Sequence, residues 1–418
     1  MHRSPLLALL LAPVLGIAGC DTTAGGPSEP REDTSDTTTT DAGPEPDAPP
    51  VSPWALPVPL SIVGGLPVFM GSVDGGPEMP FLFDTLAQIV FLDEDIVGDV
   101  LYHEADLLLG DDPVGTLQVK GRSMLPDEVY LGMDLAGLVG QAYLWERFLV
   151  LDYPGGLLYQ LPEPVDVAAS PPPGCEGLPH WTVDVQLQNA FPVVRPVLGD
   201  AGVPLLADTS SPMTTLTRST FDALDDGTLP RVAGYLWTSK YGAEDAFLTR
   251  IPSLRFGALT VTDLEAVVIP DDHHLVTILG PSGVDVVGWL GAGFWERFAL
   301  GIDPGEGTEE SPQVYHLWGD GADPAHFAGH WDKVGVELAW RDDAVVVEMV
   351  YLGTDAATRG VLVGDGLTAI DGAATAGMPL EDVRALLRGA PGDTVVLTLL
   401  HADGATEDLA VLIEEILP

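Results

Sequence analysis

The tetrapeptide Trp-Glu-Arg-Phe occurs twice, at Trp145–Phe148 and Trp295–Phe298, and the residues around the two copies also correspond. The first copy follows Gly137-Leu138-Val139-Gly140 and runs into Leu149-Val150-Leu151-Asp152. The second follows Gly288-Trp289-Leu290-Gly291 and runs into Ala299-Leu300-Gly301-Ile302-Asp303. Upstream lies a further match. Phe81-Leu82-Phe83-Asp84-Thr85 precedes Ile89-Val90-Phe91-Leu92, and Leu205-Leu206-Ala207-Asp208-Thr209 precedes Met213-Thr214-Thr215-Leu216. In each copy an apolar strand delivers Asp-Thr into a turn and a second apolar strand leaves it. An internal repeat of this length means two homologous units, about 54–165 and about 180–305, joined by a proline-rich linker over 166–179. Short apolar runs punctuated by Gly, Pro and Asp predict a mostly β fold.

The ordered landmarks of both halves resemble the pepsin and retropepsin families of aspartic proteases, in which each lobe supplies one Asp. The resemblance covers roughly residues 58–305. It implies that Asp84 and Asp208 form a catalytic dyad, two carboxylates close enough to share a proton, so that one activates a water and the other protonates the substrate carbonyl. It implies that Thr85 and Thr209 hold the two loops together through buried hydroxyls. Ser211 stands where some members place a hydroxyl against the neighbouring carboxylate, and Ala87 matches the retropepsin alanine. No metal or organic cofactor is expected. Two departures stand out: the family's glycine after Asp-Thr is Leu86 in the first half and Ser210 in the second, positions where backbone must come close to carboxylate and substrate. The covering hairpin typical of the family has no counterpart in the first half, and its better candidate is around Tyr235–Tyr241. Two outcomes stay open, an active endopeptidase and a degenerate protease fold that binds peptides as an envelope scaffold.

Residues 331–418 carry different landmarks. Val334-Gly335-Val336-Glu337-Leu338 comes first, then an alternating run at 344–350, then Arg359–Asp365, Leu367–Gly372, a helix over 379–388, Gly389-Ala390-Pro391-Gly392 and the strand Val395–Leu399. This order resembles a bacterial PDZ domain. It implies a groove between sheet edge and helix that takes a peptide C-terminus, with the loop Val334, Gly335 and Val336 binding the terminal carboxylate. Val383, Leu386 and Leu387 on the helix are expected to face mainly the core. Residues 306–330 are expected to be a linker.

The N-terminus has a short apolar run, Leu6–Ile17, that is too short to span a bilayer and reads as an export signal over residues 1–19. It ends in Leu15-Gly16-Ile17-Ala18-Gly19-Cys20, which resembles a bacterial lipobox and implies lipidation of Cys20. A doubly acylated cysteine would anchor the protein to a membrane in the cell envelope, facing periplasm or exterior. Residues 20–53 carry almost no large apolar side chain and are expected to be a tether. The one other cysteine, Cys175, excludes an internal disulfide in the processed chain. Asp and Glu outnumber Lys and Arg 63 to 17, for a net charge of −46, which opposes binding to phosphate backbones and excludes nucleic acid as a partner. The expected partners are therefore a peptide or protein substrate, a C-terminal peptide on the PDZ-like domain, and the membrane through its lipid. Asp271-Asp272-His273-His274 lacks a spaced third ligand and reads as a solvated loop. His103 and His180 are isolated and read as structural or surface residues.

Overall fold

Each half of the repeat builds the same crossed arrangement of strands. In the first, Met79–Phe83 runs parallel to Gly137–Val139, Val90–Asp93 runs parallel to the end of Asp112–Arg122, and Val90–Asp93 also pairs antiparallel with Gly137–Val139. In the second, Leu205–Ala207 runs parallel to Gly288–Leu290, Thr214–Thr217 runs parallel to the end of Leu259–Ile269, and Thr214–Thr217 pairs antiparallel with Gly288–Leu290. The protein is mostly β, with two homologous aspartic-protease-like lobes followed by a PDZ-like domain. The computed structural model describes Trp54 and residues 57–98, 102–110, 112–144, 147–161, 165–167, 169–239, 242–305, 313–322, 332–341 and 344–417. The expected export segment, Cys20, the tether, Trp145, Glu146 and Tyr241 lie outside them.

The lobes meet through one antiparallel sheet of order Val58–Val63, Leu157–Leu161, Phe148–Asp152, Ala299–Asp303, Gln313–Trp318, His180–Gln188. The strand Gln313–Trp318 lies inside the stretch expected to be linker, so the second lobe extends beyond residue 305. The reason is pairing: it fills the slot between Ala299–Asp303 and His180–Gln188 that Leu157–Leu161 fills in the first half. One face of this sheet joins the main core, which runs through both lobes. The other carries Trp54, Phe148, Tyr159, Cys175 and Trp318. Burial pushes the Cys175 thiol up to about 12, so it stays protonated and inert.

Among the described residues, the hairpin at the place expected for the covering one is in the second lobe, Val232–Ser239 against the start of Gly242–Phe256. In the first lobe the long hairpin is His103–Leu109 with Asp112–Arg122, whose second strand pairs with Val90–Asp93. A helix, Leu125–Leu131, follows it.

The PDZ-like domain is a seven-stranded sheet with a core of its own, including Val334, Leu338, Leu367, Leu397 and Val411. The run Ala344–Val350 alternates buried and less buried residues at the period of two expected of a strand covered on one face. Thr354 caps the Asp355–Arg359 helix by accepting from the Ala357 amide, and Gly360 ends it in the left-handed region. The second helix is Leu380–Leu386, with Val383 and Leu387 buried as expected and Leu386 exposed. Lobes and PDZ-like domain form a single compact unit. No helix among the described residues is long and apolar enough to cross a membrane.

Candidate active site

Asp84 and Asp208 stand at the ends of equivalent strands and are held in equivalent ways. The Asp84 amide donates to the Val139 carbonyl at 2.9 Å and the Asp208 amide to the Leu290 carbonyl at 3.0 Å. One step on, the Gln141 amide donates to Ala87 and the Ala292 amide to Ser211. The turns that make this possible need Gly140 and Gly291. A Cβ on Gly140 would overlap the Asp84 carbonyl, and one on Gly291 would overlap the Met213 carbonyl. This is a requirement for close approach of backbones, and it explains why both halves have a glycine after the short apolar strand.

The two loops are tied to each other across the lobe interface. The Thr85 amide donates to Thr209 Oγ1 at 3.1 Å, and the Thr209 amide donates to Thr85 Oγ1 at 3.1 Å. Each hydroxyl then donates onward to the opposite strand, Thr85 to the Ala207 carbonyl at 2.6 Å and Thr209 to the Phe83 carbonyl at 3.0 Å. Both threonines are fully buried, so every one of these bonds would leave an unsatisfied polar group if broken.

Both carboxylates are themselves nearly buried. Asp84 Oδ1 accepts from the Leu86 amide at 2.8 Å, and Asp208 Oδ1 accepts from the Ser210 amide at 2.8 Å. The loops therefore keep their carboxylate-binding amide even though neither position is glycine. The Ser210 hydroxyl adds a further bond to Asp208 Oδ1 at 2.9 Å. This corrects the expectation for Ser211, whose hydroxyl donates to the Met213 carbonyl at 2.9 Å and accepts from the Trp289 indole at 3.0 Å. Ser211 supports the loop, and the serine that touches the carboxylate is the one standing in the glycine position.

Sequence reasoning passed over Gln141. Its buried side-chain amide donates to the Thr85 carbonyl at 2.9 Å, steadying the first loop from behind. The available signal was its place directly after Gly140, at the start of a short helix.

Alternation along the strands separates the main core from two flanking clusters. Phe83 and Ala207, next to the aspartates, belong to the main core, whereas Leu82 and Leu206 point to the opposite face of their strands. In lobe one Leu82 packs in a cluster with Leu66, Val68, Leu138 and, from the Leu125–Leu131 helix and its flanks, Met124, Leu131 and Leu135. In lobe two Leu206 packs in a cluster with Leu248, Trp289 and four residues of the PDZ-like domain, Met349, Tyr351, Ile416 and Leu417. Leu86 is half-buried against that same cluster. The PDZ-like domain thus packs on the Leu206 side of lobe two. The Leu352 amide donates to the Ala233 carbonyl of the covering hairpin at 3.2 Å, and Arg250 donates to the Leu417 carbonyl at 3.0 Å.

The other expected site residues are placed as follows. Val334, Gly335 and Val336 are all buried; the two valines face the domain core, and the site of a Gly335 Cβ is taken by Thr354. The Gly335 carbonyl accepts from the Tyr351 amide at 3.0 Å. What this loop can offer a ligand is backbone. Asp271 is exposed and accepts from the amide and hydroxyl of Ser219, but His273 is fully buried beside Trp289, so that segment is only partly a solvated loop. His180 is not isolated. It stacks on His316 and Trp318 in the inter-lobe sheet, with His180 Nε2 at 3.1 Å from His316 Nδ1.

No protein-family model matches the chain, and no curated protein matches it. Matches among solved structures are local. A retropepsin-like aspartic protease from Rickettsia conorii is 13% identical over 34% of this chain and 95% of its own, with a TM-score of 0.23. The PDZ domain of a carboxy-terminal protease from Vibrio cholerae, in complex with peptide, is 23% identical over 20% of this chain and 92% of its own, with a TM-score of 0.19. A photosystem II D1 C-terminal processing protease is 30% identical over 20% of this chain, which spans only 23% of that protein, with a TM-score of 0.20.

Proposed function

We propose that this protein is an aspartic-type endopeptidase of the cell envelope, lipid-anchored through Cys20, in which Asp84 and Asp208 hydrolyse peptide bonds through a bound water. The observation that carries this reading is the reciprocal Thr85–Thr209 exchange, which sets two equivalent Asp loops back to back. By this reading one of the two carboxylates acts as base and the other as acid. The base takes a proton from water as its oxygen attacks the peptide carbonyl. The acid protonates that carbonyl oxygen, and the proton then passes to the leaving nitrogen. The PDZ-like domain supplies a second peptide site, taking C-terminal ends.

One observation favours a second reading, a catalytically degenerate scaffold that captures peptides. Leu86 occupies the glycine position beside Asp84 and packs onto the lobe-two cluster instead of leaving the backbone bare. The two are separated by cleavage of a peptide library from pH 3 to 7 with the whole chain and with Asp208→Asn. Cleavage that vanishes in the variant supports the endopeptidase. No cleavage at any pH moves the function to peptide capture.

A further inference from the structure

One edge of the PDZ-like domain is in contact with a segment of lobe one. The walls of the domain's groove are the Val336–Arg341 strand and the Leu380–Leu386 helix. The Leu125–Leu131 helix packs against the strand, and its C-terminal end meets the second helix at Arg384 and Leu380. Arg384 donates to the Tyr130 carbonyl at 2.9 Å and to the Leu338 carbonyl at 3.0 Å, lies over the Tyr130 ring at 5.1 Å, and pairs with Glu381 on its own helix at 2.5 Å. Leu338 belongs to the wall strand, so its carbonyl is among those an added peptide strand would address. Gly132, in the left-handed region at φ 70°, sits directly on Leu380: a Cβ there would be 2.6 Å from that of Leu380.

We infer that the Leu125–Leu131 helix is an internal occupant of this groove, which an apolar peptide with a free C-terminal carboxylate displaces, and that displacement uncovers the cleft between the lobes. The internal ligand is a weak one on two counts. A helix end offers Arg384 only a fraction of a negative charge, whereas a peptide terminus offers a full one. Gly132 gives Leu380 no side chain to bury, whereas an apolar terminal residue removes more surface from water. The same helix anchors lobe one, since Leu131 shares a cluster with Leu82 and Leu138 beneath the Asp84 loop. The domain also packs on lobe two, through Met349, Tyr351, Ile416 and Leu417. It therefore bridges the lobes, and losing the helix contact frees one end of the bridge. The part of this inference that concerns cleavage rests on the proposed endopeptidase; the part that concerns binding does not.

Gly132→Ala in the whole chain is the test, beside Gly75→Ala, where φ is also 70° but no atom lies within 4 Å of the added Cβ. The probe is a fluorescent pool of octapeptides, random except for an apolar last residue with a free carboxylate, and its amidated twin. The expected result is at least tenfold tighter binding of the free-acid pool by Gly132→Ala than by wild type or Gly75→Ala, with the amidated pool weaker throughout. In wild type, saturating pool should speed hydrogen exchange at residues 128–132. Equal binding by all three proteins, or unchanged exchange in wild type under saturating pool, overturns the inference. Cleavage of a separate reporter peptide reads the two ideas apart. Binding and exchange responses without any cleavage leave the internal ligand standing and remove the endopeptidase. Cleavage that ignores Gly132→Ala, with no change in binding, does the reverse.

Discussion

The Thr85 and Thr209 side chains each accept the other's backbone amide at 3.1 Å and each donate into the other's strand. No solvent reaches either residue. The two halves of the repeat are thereby joined at the point where their aspartates emerge. Thr209→Val removes one acceptor and one donor and strands the Thr85 amide and the Phe83 carbonyl. We expect a loss of roughly 2–4 kcal/mol, read by urea unfolding. Because the two threonines share one network, Thr85→Val combined with Thr209→Val should cost clearly less than the sum of the single changes.

Leu86→Gly restores the small residue beside Asp84. Stability should fall by about 1–3 kcal/mol, from lost packing on the lobe-two cluster and added backbone freedom. Peptide cleavage, measured at the pH of highest wild-type rate, should rise severalfold as the backbone becomes accessible to substrate. A drop in rate together with stability would instead assign Leu86 a role in shaping the site.

The stacked pair His180 and His316 makes the inter-lobe sheet sensitive to acid. Burial, with His180 close by, holds His316 down to about 4, and burial also lowers His180. The folded state thus resists protons that the unfolded chain accepts at an ordinary histidine pKa of about 6.5. Stability should be full above about pH 6.5 and fall as pH drops toward about 4, by roughly 2–3 kcal/mol for His316. Thermal unfolding at a series of pH values should show this slope, and His316→Phe should flatten it. An aspartic protease working at low pH would have to tolerate that loss.

Beneath the PDZ-like groove, Lys333 pairs with Glu337 at 2.5 Å, and the Tyr351 hydroxyl donates to the same carboxylate at 2.6 Å. Burial pulls Lys333 below the usual lysine range; it pushes Glu337 the other way, but Lys333 and the Tyr351 hydroxyl outweigh it and hold that carboxyl low. Lys333→Met leaves a carboxylate without its cation and should cost about 2–4 kcal/mol, whereas Lys333→Met with Glu337→Leu should recover much of it. Chemical denaturation of the three variants checks the comparison.

Much of this architecture is legible in the chain. The Asp-Thr turns, the glycines at 140 and 291 and the repeated strand into Asp152 and Asp303 mark both lobes, because local pairing and close backbone approach dictate residue type at those points. The alternating run at 344–350 and the residues flanking the Leu380–Leu386 helix mark the last domain for the same reason. The strand Gln313–Trp318 was not legible. It is set off from its neighbours by glycine, proline and acid residues, and its identity comes from the slot it fills in the inter-lobe sheet.

The sequence by itself determined the strands around the two Asp-Thr turns, where the two aspartates stand and which threonines accompany them, since periodicity and turn chemistry act over a few residues. Tertiary structure alone decided that Ser210 rather than Ser211 touches Asp208, that His180 meets His316, and that Arg384 reaches Tyr130 from 254 residues away. Those contacts depend on the direction of side chains and on the packing of whole domains. Such relationships arise only once distant surfaces have been brought together and the free energy of burial has selected one arrangement.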